Sequence, residues 1–174
     1  DLAPADLNAV VNSSIRLVRH DLDRARISIS VDLAESLPQL RLDEFKMQQV
    51  LVNILNNALH AAGENGRIAV RTTVRTLDRG PNIGHRKTDR YTPGERVAVV
   101  EVDDSGPGIR DADLTKIFEP FFTTKPTGVG TGLGLSISRQ IVDMHGGTIE
   151  IGNRDAGGAR VTITLKLDNS GAPI

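Results

Sequence analysis

The 174-residue sequence has no cysteine and no tryptophan, and its aromatic residues are four phenylalanines and one tyrosine. Without cysteine, disulfide frameworks, thiolate zinc sites and cysteine nucleophiles are excluded. The shortage of aromatic rings argues against the stacking platforms that bind single-stranded nucleic acids. A formal net charge of −1 provides no global field to attract DNA or an anionic membrane. We therefore expect neither nucleic acid nor direct membrane contact.

Long hydrophobic runs are also missing. No apolar stretch approaches the ~18 residues of a membrane span, and the acidic start is unlike a signal peptide. Hydrophobic residues make up 39% and charged residues 25%, the balance of a folded soluble protein. We predict a single domain over residues 1–174 with its core at about 6–167. The absence of cysteine fits a cytoplasmic location. Because the sequence starts without methionine, we expect it to be a piece of a longer protein, and that whole protein could be anchored in a membrane.

The periodicity of apolar residues predicts the secondary structure. Helices are expected over residues 7–22, 43–62, 111–118 and 133–145, and strands over 26–33, 67–77, 96–103, 148–152 and 160–167. Asp6 and Asp43 are placed to cap the first two helices. The connection at 78–95, rich in glycine, proline and basic residues, is predicted to be an exposed hairpin loop. The mixed order of elements favours a two-layer α/β sandwich over a doubly wound parallel sheet.

The longest predicted helix carries a row of amide side chains. Gln49, Asn53 and Asn57 are spaced at i, i+4 and i+8, and His60 follows three residues later, so all four share one side. An unpaired buried amide costs about 1–3 kcal/mol, so a bound polar ligand would explain the row. An asparagine carbonyl is a hard, neutral oxygen suited to one position on Mg²⁺, which makes Asn57 a candidate ligand. A solvated polar edge on an amphipathic helix explains the row equally well.

Two glycine-containing segments follow buried or helical elements. A strand runs directly into DDSGPGI, where the glycines let a flat ligand lie close to the backbone and Asp104 could accept a hydrogen bond from the amine of adenine. Taken alone, such a motif is more often just a turn. The second segment, 128–135, opens a helix whose first amides and dipole favour phosphate. Its spacing matches neither the dinucleotide fingerprint nor the lysine-containing phosphate loop.

Three of the four phenylalanines occur together in IFEPFFTTK. Phe118, Phe121 and Phe122 fit either a small satellite core or an aromatic hinge that anchors a mobile lid. In the second interpretation Lys125 could reach a phosphate group.

In this combination and order, the segments resemble the catalytic domain of sensor histidine kinases, within the ATPase superfamily shared with gyrase, Hsp90 and MutL. NILNNALHAA resembles the N box, DDSGPGI the first glycine box, FEPFFTTK the F box and GTGLGLSIS the second glycine box. The closing strands GGTIEIGN and GGARVTITL also match, so the resemblance covers about residues 6–167. It implies the Bergerat-type ATP-binding fold, in which a mixed, mostly antiparallel sheet packs against three helices. It also implies an ATP lid at about 119–132.

The resemblance implies ATP and Mg²⁺ as cofactors and a role for each matching residue. Asn57 resembles the Mg²⁺ ligand, Asp104 the residue that binds the adenine amino group, and Lys125 the F-box lysine. Asn53 stands where hydrolytic relatives carry a glutamate that activates water; an amide cannot act as a general base, which favours a kinase over an ATPase. The implied catalytic residues are Asn53, Asn57 and Lys125. The implied ATP-binding residues are Asn57, His60, Asp104, Gly106, Gly108, Ile109, Lys125, Gly130, Thr131, Gly132, Leu133 and Gly134.

The implied function is binding of Mg-ATP and transfer of the γ-phosphate to a histidine on a separate dimerisation domain of the same kinase, with a response regulator downstream. A protein-serine kinase of the anti-sigma type and a non-catalytic nucleotide-sensing scaffold stay open as alternatives. His20, although followed by Asp21, lies in the first predicted helix and is interpreted as a surface residue. Since such kinases dimerise through the helical domain, we expect the isolated domain to be a monomer.

Overall fold

The structure is a computed structural model that describes residues 1–77, 91–125 and 130–167. Predictions for most of the hairpin loop, for the centre of the lid including Gly128, and for the tail lie outside these residues. None of the helices in the described ranges has the length and apolar content to cross a bilayer. The strands are β1 (Ala3–Ala5), β2 (Ser28–Asp32), β3 (Leu40–Leu42), β4 (Arg67–Thr76), β5 (Arg96–Asp104), β6 (Thr148–Asn153) and β7 (Ala159–Lys166). The helices are α1 (Leu7–Arg24), α2 (Glu44–Ala62), α3 (Asp111–Leu114) and α4 (Gly134–Met144).

The main sheet has five strands in the order β2-β4-β5-β7-β6. β2 pairs in parallel with β4, and the remaining pairs are antiparallel. Alternate residues of β5, Ala98, Val100 and Val102, belong to the buried cluster shared with the helices. Helix α2 packs on β4 and β5, with α1 and α4 beside it. The predicted two-layer α/β sandwich, with three long helices on one face of a mostly antiparallel sheet, is confirmed.

The two long helices begin at the predicted caps. Oδ1 of Asp6 accepts a hydrogen bond from the backbone N–H of Ala9 at 3.3 Å, and Oδ1 of Asp43 accepts one from Lys46 at 3.1 Å. Each such cap satisfies a backbone donor and typically contributes about 1 kcal/mol. The backbone N–H of Asp43 in turn donates to Nε2 of His145 at 3.0 Å, which ties the start of α2 to the end of α4. These contacts set the position of α2 against the sheet.

Three predictions about local structure are corrected. β1 was not anticipated; it pairs antiparallel with β3 in a separate two-stranded ribbon, an edge position in which Pro4 is tolerated. β2 is mostly exposed rather than half-buried because it lies at the edge of the sheet. The predicted helix at 111–118 ends at Leu114, because the chain continues in turns up to residue 121.

The described end of the predicted hairpin loop is not wholly exposed. The hydroxyl of Tyr91 lies 3.0 Å from Oγ1 of Thr148 and donates to the carbonyl of Thr164 at 3.1 Å. Both threonines lie on the face of the sheet opposite the helices, which we call the outer face. These two partners and the ammonium group of Lys166, which lies 5.7 Å from the centre of the ring, hold the tyrosine there.

Candidate functional site

A cavity of about 650 Å³ lies between α2, the carboxyl end of β5 and the start of α4. This volume is in the range of small-molecule sites in proteins. Its floor is apolar: Val102, Val161 and Ile151 are neighbours in register across β5, β7 and β6. Asn53, Asn57 and His60 of α2 border it from the helix layer. The cavity thus combines a flat apolar floor with polar groups along one side.

Asp104 is a buried carboxylate that borders the cavity, with 7% of its surface exposed. The alternation of β5 places it on the same face as Val102, toward the helices. Its Oδ1 accepts hydrogen bonds from the backbone N–H groups of Gly106 at 2.8 Å and Ala159 at 3.3 Å. Within the described ranges no hydrogen bond engages Oδ2. One carboxylate oxygen is therefore held by the fold and the other is available to a ligand with an N–H donor.

The loop after Asp104 packs closely against its neighbours because two of its glycines have no room for side chains. A Cβ on Gly106 would lie 2.5 Å from the carbonyl oxygen of Ala61 in α2. Gly108 has φ +80°, and a Cβ there would lie 2.7 Å from Oδ1 of Asn153. Gly108 borders the cavity, whereas Gly106, expected to contact ATP, is not among the residues that line it. Gly106 instead allows the close approach of loop and helix.

Lys125 and Asn57 both line the cavity and contact each other. Nζ of Lys125 donates a hydrogen bond to Oδ1 of Asn57 at 3.0 Å. The loop before it is shaped by a hydrogen bond from the N–H of Lys125 to Oγ1 of Thr123 at 3.1 Å. The amide oxygen that contacts the ammonium group is thus oriented toward a cation. A single neutral oxygen fits Mg²⁺, which takes its other ligands from phosphate and water.

The predicted amide row is divided between two surfaces. Asn57 and His60 line the cavity, while Gln49 lies in a neighbouring groove between α1, α2 and α4. Asn53 borders both, and its Nδ2 donates to Oγ of Ser138 at 3.2 Å. A Cβ on Gly134 would lie 2.3 Å from Oδ1 of Asn53, so α4 approaches α2 closely at this point. The amide of Asn53 therefore joins two helices.

The glycine-rich segment reaches the cavity where α4 begins. Gly130, Thr131, Gly132 and Gly134 line it, but Leu133 does not. The turn before the helix is held by a hydrogen bond from the N–H of Phe121 to the carbonyl of Gly132 at 2.8 Å. Among the described residues no side chain caps the start of α4, so its first N–H groups are available to an anion.

The three phenylalanines do not form one aromatic cluster, which argues against the satellite core, one of the two interpretations of the motif. Phe118 is partly buried, and the guanidinium carbon of Arg139 lies 5.3 Å from the centre of its ring. Phe121 is 74% exposed and has a φ of +67°. Phe122 lines the cavity. Residues that are adjacent in the motif therefore serve three different surroundings.

Sequence reasoning missed several residues that border the cavity. Ile151, Val161 and Ala159 come from the closing strands, and they are brought there by strand pairing. Asp113, only 6% exposed, also borders the cavity and accepts hydrogen bonds from Arg110 at 2.9 and 3.3 Å, which raise the pKa of that guanidinium. The alternation of the closing strands was the only signal in the sequence that could have pointed to the floor.

The family model of the histidine kinase-, DNA gyrase B-, and HSP90-like ATPases matches residues 42–169 of this chain. The chain belongs to this family. Sensor histidine kinase ZraS of Escherichia coli O157:H7 is 34% identical over 167 residues, which is 96% of this chain and 32% of that protein. The C4-dicarboxylate transport sensor protein DctS of Rhodobacter capsulatus is 33% identical, over 99% of this chain and 24% of its own length. The chain thus spans about a third or less of the length of these relatives.

Solved structures agree with this assignment. The nucleotide-free catalytic domain of histidine kinase ThkA has a TM-score of 0.76 and 31% identity, over 95% of each chain. The mycobacterial sensor histidine kinase MprB has a TM-score of 0.72 and 27% identity, over 95% of this chain and 97% of that one. ThkA in complex with the response regulator protein TrrA matches with a TM-score of 0.73 and 27% identity, over 98% of this chain and 43% of that one. This family member therefore has the fold of a histidine kinase catalytic domain.

Proposed function

We propose that this domain binds Mg-ATP and transfers the γ-phosphate to a histidine on a separate helical domain of the same protein. The observation that carries the proposal is Asp104, a buried carboxylate with one oxygen free of hydrogen bonds in the described ranges, in a cavity that Asn57 and Lys125 also line. This arrangement offers an acceptor for the adenine amine, a floor for its ring and cationic and metal-ligating groups for phosphates. We further propose a cytoplasmic location, a response regulator as downstream partner, and a monomeric state for the isolated domain.

Phosphoryl transfer depends on position and charge neutralisation more than on covalent help from the protein. Asp104 orients the adenine, and the free N–H groups at the start of α4 donate to phosphate oxygens. Asn57 would hold Mg²⁺, which neutralises phosphate charge when bound. A nitrogen of the acceptor imidazole forms a bond to the γ-phosphorus as the bond to the β–γ bridging oxygen breaks, and ADP leaves. The ring proton passes to solvent.

The amide at position 53 supports transfer to a side chain over transfer to water. Asn53 has no basic oxygen that could remove a proton from water, and its Nδ2 is directed to Ser138. We therefore expect the domain alone to turn ATP over slowly. Acid-labile phosphate on an added histidine-bearing helical hairpin would distinguish a histidine acceptor from the serine acceptor of an anti-sigma kinase.

The decisive experiment is calorimetric titration with a non-hydrolysable ATP analogue, with and without Mg²⁺. We expect Asp104→Ala to weaken binding by at least about 100-fold, because an adenine donor loses a charged acceptor. Asn57→Ala should bind without dependence on Mg²⁺. Asn56→Ala is the matched control, since Asn56 is exposed on the same helix and borders the groove rather than the cavity. Failure of the wild type to bind the analogue would refute the proposal.

A further inference from the structure

Two consecutive residues at the end of β6 hold both ends of the loop that begins at Asp104. The side-chain amide of Asn153 accepts a hydrogen bond from the N–H of Ile109 at 2.7 Å and donates one to the carbonyl of the same residue at 2.7 Å. The guanidinium of Arg154 donates to the backbone carbonyl of Asp104 at 3.2 Å. The loop is thus fixed at its first and last residue by the turn between β6 and β7.

The remainder of that turn follows the same loop closely. Ala159 donates its N–H to Oδ1 of Asp104 at 3.3 Å. A Cβ on Gly158 would lie 1.9 Å from the carbonyl oxygen of Asp104, and its φ of +79° also favours glycine. The two backbone segments therefore fit each other without intervening side chains, and the position of one determines the position of the other.

The double hydrogen bond of Asn153 replaces the pairing that a neighbouring strand would provide. β5 ends at Asp104, so Ile109 has no sheet partner for its peptide groups. Gly106 and Gly108 give the intervening backbone much conformational freedom, which the amide of Asn153 restricts. Gly108 and Ile109 line the cavity whereas Asn153 does not, so any effect of Asn153 on a ligand passes through them.

We propose that Asn153 is a positioning residue for the nucleotide base, which fixes the cavity wall formed by Gly108 and Ile109. The inference rests on the proposed function, since it concerns the base end of the same site. When a loop is competent to bind in only a fraction of molecules, its apparent affinity falls by that fraction. Removal of the amide therefore weakens ligands that carry the base and spares ligands that carry only phosphates.

The test compares wild type with Asn153→Ala, Asn153→Asp and the control Asp155→Ala. Asp155 is exposed in the same turn, and within the described ranges its side chain makes no hydrogen bond. Calorimetry with Mg²⁺ measures the Kd of a non-hydrolysable ATP analogue and of inorganic tripolyphosphate. We expect Asn153→Ala to weaken the analogue about tenfold and to leave tripolyphosphate unchanged. Asn153→Asp keeps the acceptor for the N–H of Ile109, so an intermediate loss of about threefold is expected.

Equal affinity of Asn153→Ala and wild type for the analogue would overturn the proposal. So would equal weakening of both ligands, or the same weakening in Asp155→Ala, since either result assigns the turn a general structural role. A wild type that binds no analogue refutes the proposed function and with it the role at the base. The clamp, by which we mean the two hydrogen bonds between Asn153 and Ile109, is then tested by hydrogen exchange of the Ile109 amide without nucleotide. Exchange that is faster in Asn153→Ala but not in Asp155→Ala supports the clamp, and unchanged exchange in Asn153→Ala refutes it.

Discussion

Asp103 and Asp104 are consecutive residues of β5, both more than nine-tenths buried, yet they lie on opposite faces of the sheet. On the outer face, Asp103 accepts hydrogen bonds from Arg160 at 2.7 and 2.9 Å and from Arg71 at 3.2 Å, with Arg154 at 3.3 Å completing the ion pairs. On the inner face, Asp104 receives two backbone N–H groups, and the described part of the chain provides it with no ion pair. The carboxylate of Asp103 is fully paired with guanidinium groups, whereas the carboxylate of Asp104, which we propose binds the ligand, keeps one oxygen without a hydrogen bond in the described part of the chain.

The two environments also differ electrostatically. Burial raises the pKa of Asp103, but the hydrogen bonds of Arg160 and the charges of Arg160, Arg154 and Arg71 outweigh it, so the pKa is lowered overall. The hydrogen bond to Asp103 correspondingly raises the pKa of Arg160. Glu101 belongs to the same network, with Arg75 at 2.9 Å. The outer face therefore links β4, β5 and β7 through charge.

The largest expected effect separates the two aspartates by ligand affinity. Asp104→Asn should weaken an ATP analogue by more than about 100-fold, because an amide that offers its N–H₂ to the adenine amine leaves buried donors unpaired. Asp103→Asn should leave the Kd within about twofold, since its side chain is outside the cavity. Calorimetry of both variants measures this. Similar losses in the two variants would contradict the division of roles.

The second expected effect concerns the free energy of unfolding, for which substitution of Asp103 should matter more than substitution of Asp104. Asp103→Asn should lower the free energy of unfolding by about 2–3 kcal/mol, because Arg160 and Arg71 lose a buried charged partner. Asp104→Asn should lower it by about 1 kcal/mol or less, as backbone donors keep a neutral acceptor. Urea unfolding without nucleotide provides the measurement. A larger loss of unfolding free energy in Asp104→Asn would show that the carboxylate of Asp104 contributes more to stability than that of Asp103.

A third and smaller effect concerns acid. Because the pKa of Asp103 is lower in the folded state, its stabilising contribution is complete above the ordinary aspartate pKa. It is lost as pH falls below about 4 and through the folded-state value. We expect the unfolding midpoint of wild type to fall more steeply than that of Asp103→Asn over this range. Parallel pH profiles for the two proteins would show that other carboxylates determine the acid limit.

The smallest expected effect lies at the phosphate end of the cavity. Lys125 donates to the same oxygen of Asn57 that we assign to Mg²⁺, so ammonium and metal compete for it. Lys125→Met should lower the Mg²⁺ concentration needed for half-maximal ADP binding by about threefold, the factor expected from one charge-assisted hydrogen bond in a solvated site. ADP isolates this effect, because it lacks the γ-phosphate. If Lys125→Met raised the Mg²⁺ concentration needed for half-maximal ADP binding, Lys125 would instead favour binding of Mg-ADP.

The sequence predicted the parts of the site that depend on local pattern. The cap at Asp43, the strand that runs into Asp104 and the helical position of Asn57 are all local, and the structure has the corresponding elements in place. The floor residue Ile151 and the clamp residue Asn153 depend on strand order and register, which periodicity does not specify. The different surroundings of the three phenylalanines could not be predicted for another reason: Phe121 has a positive φ, and nothing in the aromatic pattern signals that.

Helix α4 contacts helix α2 at both of its own ends. The first residue of α4 lies against the amide of Asn53 in the middle of α2, and His145, just after the last turn of α4, accepts a hydrogen bond from the backbone N–H of the cap residue Asp43. Sliding or rotation of α4 would break both contacts. The position of helix α4 is therefore fixed relative to α2 at both ends of α4.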